Sequence, residues 1–124
     1  MTRWYWAQVG GTLIEEFRAV KRTETCGQRL IDGVILTDGP HEITSRHAVE
    51  LEGQDIIVVQ TKRGRLGMYL MGQALFSAEL MKKFNPRSIR SVALCEDHDS
   101  VLSPLLEKHG IEIVIYPGER VEEQ

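Results

Sequence analysis

Three polar side chains stand out in runs that are otherwise apolar. Asp32 interrupts RLIDGVIL, Gln60 lies near the end of DIIVVQT, and Lys62 follows Gln60 by two positions. A polar group inside such a run needs a partner, a metal or exposure at a strand end. Alternation with period two puts Gln60 and Lys62 on one face, and if their strand pairs with the one carrying Asp32, all three side chains can converge. Two-residue spacing at the end of a central strand suits metal-assisted phosphodiester hydrolysis. Oxygen ligands hold a divalent ion there, and a neighbouring cation orients water and offsets phosphate charge.

The elements that must position these residues follow from hydrophobic periodicity. Arg3 to Val9, with Trp4, Tyr5 and Trp6, predicts a short helix stopped by Gly10-Gly11. Thr12 to Lys21 predicts a strand with a bulge, Arg22 to Gln28 a turn, and Arg29 to Leu36 a second strand. A polar loop holding His41 and His47 leads to a third strand over Asp55 to Thr61, apolar on both faces and therefore central. The basic turn Lys62-Arg63-Gly64-Arg65 follows, then the main helix over Leu66 to Phe84, ended by Asn85-Pro86. Ser88 to Cys95 predicts a strand, Val101 to His109 a helix capped by Gly110, and Ile111 to Tyr116 a last strand. The alternation of strand and helix in this second half implies parallel strands, whereas the first half reads as a meander.

Helix, three-strand meander, helix, strand is the order of the PD-(D/E)XK nuclease core, and from Trp4 to about Cys95 the chain resembles compact members of that superfamily. These include archaeal Holliday-junction resolvases and RecB-type nuclease domains. The motif residues would be Asp32 and then Gln60-Thr61-Lys62. The resemblance implies an α/β fold with a restriction-endonuclease-like core, a mixed sheet of about five strands in the order αβββαβαβ with helices on both faces. It also implies metal-dependent hydrolysis of DNA, with Asp32 and Gln60 binding Mg²⁺ or Mn²⁺ and Lys62 assisting the attacking water. The family expects Glu or Asp where this chain has Gln60, and an amide offers a carbonyl ligand without negative charge. Glu15 and Glu16 on the first strand could restore that charge, because one of them must share a face with Asp32 if the strands are adjacent. RecB-type nucleases carry a glutamine and a tyrosine four apart on the following helix, and this chain has Tyr69 and Gln73 in reverse order on one helical face. Lys62, Arg63 and Arg65 flank Gly64 where cations could hold phosphates, with Arg87 and Arg90 extending the patch.

Each of these residues also has a plain structural reading: Asp32 bonded to a turn, Gln60 satisfied by backbone, Lys62 solvated at a strand end, Glu15 and Glu16 on a solvated strand face. An inert domain of the same fold that binds nucleic acid or a protein partner is the alternative that Gln60 favours. A third reading is an α/β domain with an apolar small-ligand pocket. Composition limits the choice further. With 124 residues, 42% hydrophobic and 27% charged, the chain has enough apolar mass for one folded domain, expected over 1–117 with a loose tail over 118–124. A net charge of −3 argues against coating nucleic acid by bulk electrostatics, so any such contact is local. Cys26 and Cys95 fit neither a metal pattern nor a disulfide framework and read as free thiols in a reducing compartment. No apolar run approaches a membrane helix or a signal peptide, which points to the cytoplasm without membrane attachment. If the protein is a homodimer, the aromatic first helix is the candidate interface.

Overall fold

In the computed structural model, which describes residues 1–118, the helix α1 spans Thr2–Val9. Gly10 and Gly11 end it at φ 78° and 80°. Gly11 has no alternative residue, because a Cβ there would lie 2.5 Å from the Leu36 carbonyl oxygen. The strands β1 (Thr12–Val20) and β2 (Arg29–Leu36) then form an antiparallel pair, from Thr12 opposite Leu36 to Val20 opposite Arg29. The expected bulge is present as a register shift between Arg18 and Val20.

The polar loop carries a strand that its composition does not announce. Glu42–Ile43 forms β3, a two-residue edge strand parallel to the start of β1. Among the described residues the sheet therefore has six strands, in the order β3-β1-β2-β4-β5-β6, against the expected five or so. Strand β4 (Asp55–Thr61) pairs antiparallel with β2 and parallel with β5 (Ser88–Cys95), which pairs parallel with β6 (Ile111–Ile115). The long helix α2 runs from Met68 to Met81, shorter than the predicted span because a 3₁₀ turn takes Lys82–Phe84 and Asn85 leaves it in a left-handed conformation. Helix α3 covers Leu102–Lys108, and at its start the Asp99 carboxylate accepts from the N–H groups of Val101 and Leu102.

Two layers of helix enclose this mixed sheet, so the α/β class holds. On one face Leu13, Ile35, Ile57, Val59, Val92 and Leu94 pack against Tyr5 of α1, flanked by Trp4 and Trp6. On the other, Ile56, Val58, Ala93 and Cys95 lie beneath α2 and α3. Strand β4 contributes to both cores, as its continuous apolar run requires. The aromatic residues of α1 are spent inside the fold: Tyr5 is buried, Trp4 meets Tyr116 edge to face, and Trp6 stacks on His41. Cys26 and Cys95 are free thiols, and burial raises the pKa of Cys95. Among the described residues no helix is long and apolar enough to cross a membrane. Most of the expected tail, from 119 onward, lies outside the described residues.

Candidate functional site

The seam between β2 and β4 closes regularly from Leu36 opposite Ile56 to Gly33 opposite Val59, and there the backbone ladder stops. Side chains carry the pairing one step further. The Asp32 N–H donates to Gln60 Oε1 at 3.3 Å, and Asp32 Oδ2 accepts from the Thr61 N–H at 2.8 Å and from Thr61 Oγ1 at 3.0 Å. Each strand thus supplies a polar side chain that substitutes for a missing backbone partner.

The two polar groups meet at this seam but open in different directions. Gln60 shares the face of Ile56 and Val58 beneath α2, is 3% exposed, and donates through Nε2 to Ser77 Oγ at 2.6 Å. It lines a cleft of about 380 Å³ with Gln73, Phe76 and Arg29. Asp32 lines a recess of about 290 Å³ with Thr2, Glu15, Glu16 and Thr61. The convergence of Asp32, Gln60 and Lys62 in one pocket, expected from alternation, is therefore not found. The reason is local. Gly33 faces α1, where a Cβ would meet Thr2 at 2.7 Å, yet Ile31 packs in the same cluster as Val34. Alternation breaks at Asp32, and opposite it Glu16 adopts φ 48°, so that both strands change phase together.

That break explains why both glutamates, rather than one, reach the Asp32 recess. They differ in freedom. Arg3 grips Glu15 through two hydrogen bonds of 2.9 and 2.8 Å, which hold its carboxyl below the usual carboxylate range, whereas Glu16 is exposed. The oxygens a Mg²⁺ or Mn²⁺ ion would need are largely committed: one of Asp32 to Thr61, both of Glu15 to Arg3, and that of Gln60 to the Asp32 N–H. Among the described residues no three of His, Cys, Asp and Glu come together closely enough to hold a metal ion. The donor set in this arrangement does not fit a divalent cation.

The chain matches no family model, no curated protein and no solved structure. Its chemistry must be argued from its own geometry, and the other candidates gather on the α2 side. Lys62 lies past the end of β4, exposed, with Nζ 6.0 Å from the ring centre of Tyr69. Tyr69, at 72% exposure, lies in the first turn of α2, and Gln73 one turn later lines the Gln60 cleft. Arg63 and Arg65 are held back toward the end of β5. Glu96 accepts from the Gly64 N–H at 2.6 Å and pairs with Arg63 at 3.5 Å, while Arg65 donates to the His98 carbonyl at 2.7 Å. Arg87 and Arg90 do not extend this patch. Arg87 binds Asp55 at the opposite end of β4, and Arg90 binds Glu112.

Sequence reasoning missed Thr61, Ser77, Phe76, Arg3 and Arg29. Ser77 and Phe76 carried a readable signal, since a serine four residues after Gln73 and an aromatic seven after Tyr69 fall on the face already singled out. The Arg3–Glu15 clasp joins α1 to β1 and had no signal in spacing.

Proposed function

We propose that this chain is a nucleic-acid-binding domain built on a restriction-endonuclease-like core, and that it binds without hydrolysing. The order α1, antiparallel β1-β2-β4 meander, α2 and parallel β5 supports the core, with Asp32 and Gln60 at the seam where that fold keeps its catalytic groups. The observation that carries the inert reading is the Gln60 amide. It is buried and bonded at both ends, to the Asp32 N–H and to Ser77 Oγ, so the residue in the acidic ligand position acts as a fastener between β2, β4 and α2. Binding is supported by Lys62, Tyr69 and Gln73, which set an exposed cation, an aromatic ring and an amide side by side.

Metal-dependent DNA hydrolysis is the second reading, favoured by one observation: Asp32, Glu15 and Glu16 line the same recess. Anisotropy of labelled single-stranded, duplex and branched DNA, read with EDTA and then with Mg²⁺ or Mn²⁺, separates the two. The expected result is metal-independent binding, weakened severalfold by Lys62→Ala, with the DNA intact afterwards. Cleavage in metal that Asp32→Ala and Lys62→Ala both abolish would replace this reading with the second.

A further inference from the structure

We infer that the cleft under α2 takes an unpaired nucleobase of the bound strand; this rests on the nucleic-acid reading above and specifies its ligand. Phe76 stands at the rim with 63% of its surface exposed, an uncommon position for a phenyl ring on a helix whose other face is core. Beside it the cleft is lined by the apolar side chains of Leu30, Ile31 and Leu80 together with Gln73 and Arg29. Among the described residues the Gln73 amide makes no side-chain hydrogen bond, and Arg29 makes only a long one, 3.4 Å, to the adjacent Gln28 carbonyl. The acidic neighbour Glu79 is paired with Lys82 at 2.9 Å, which tempers its repulsion of phosphate.

A planar heterocycle needs this combination: an aromatic face to stack on, an apolar lining, an amide that both donates and accepts toward a base edge, and a cation for the adjoining phosphate. A volume of about 380 Å³ leaves room for one base. Tyr69 and Lys62 provide a second ring and cation roughly 10 Å further along α2, the axial rise of seven helical residues, so a strand lying along the helix can engage both stations. Bases stacked within a duplex cannot enter, and the site is therefore selective for single strands or extruded nucleotides.

The test uses two labelled oligonucleotides of equal charge and about twelve nucleotides, one of thymidine and one abasic. The thymidine strand is expected to bind about tenfold more tightly than the abasic one, and Phe76→Ala to remove that difference, while Lys62→Ala weakens both strands alike. Because Phe76 is exposed, the variant is expected to fold, which circular dichroism checks. Equal affinity for the two strands, unchanged in Phe76→Ala, overturns the base site and leaves the nucleic-acid reading standing. Binding to neither strand overturns the base site, and if duplex and branched DNA also fail to bind, it overturns the nucleic-acid reading as well.

Discussion

At Asp32 a single carboxylate carries the pairing of β2 with β4 past the end of their backbone ladder. Its Oδ2 satisfies both the N–H and the hydroxyl of Thr61, which no backbone acceptor reaches once the ladder has ended at Gly33. Asp32→Ala leaves the Thr61 N–H without that acceptor, at a cost of about 1–2 kcal/mol, or roughly 4–8 °C in Tm for a domain of this size. Asp32→Asn keeps an acceptor oxygen and should lose less than half as much. A calorimetric scan of the two variants beside the wild type checks this. Equal losses would show that the charge of Asp32, rather than its acceptor role, holds the seam.

The pairing of β4 with β5 is reinforced at its far end by a charged clamp. Asp55 begins β4 and receives hydrogen bonds from Arg87 and from Ser88 at the start of β5, and these bonds hold its pKa at about 2, against an ordinary 3.8. A carboxylate with a depressed pKa adds stability above its unfolded value and loses that contribution as pH falls through the folded one. The clamp is therefore intact at neutral pH and is released between about pH 4 and pH 2. Asp55→Asn should flatten the fall of Tm over that window relative to the wild type, while changing little in its slope between pH 5 and pH 7. If the wild type and Asp55→Asn lose Tm in parallel below pH 4, the clamp contributes nothing measurable.

For the whole molecule, charge distribution matters more than net charge. The chain totals −3, yet exposed Lys62 and Arg29 lie along the α2 side, while Arg63, Arg87 and Arg90 are each engaged by a carboxylate. A strand lying along α2 therefore meets Lys62 and Arg29 and displaces few counterions. The logarithm of the binding constant for single-stranded DNA should therefore fall with log salt at a slope of only about −1.5 to −3, corresponding to roughly two to four phosphates. A slope much steeper than this, from titrations at several salt concentrations, would mean that the strand runs over a different and more basic surface.

How far the sequence alone reaches can be judged from particular residues. The order of elements was legible because each strand and helix repeats its apolar residues with its own period, and the placement of β4 at the centre followed from a run apolar on both faces. Asp32 and Gln60 could be recognised as exceptional because a polar side chain in such a run must find a partner. Two things were not legible. The edge strand β3 is only two residues long and exposed, so it leaves no periodic trace and exists through its pairing with β1. The direction of each polar side chain was also hidden, since period-two alternation assumes an unbroken strand, and the paired irregularity at Glu16 and Asp32 changes phase on both strands at once. Local chemistry thus determined that Asp32 and Gln60 need partners, whereas the packing of α1 against Gly33 and of Ser77 over β4 decided which partners they found.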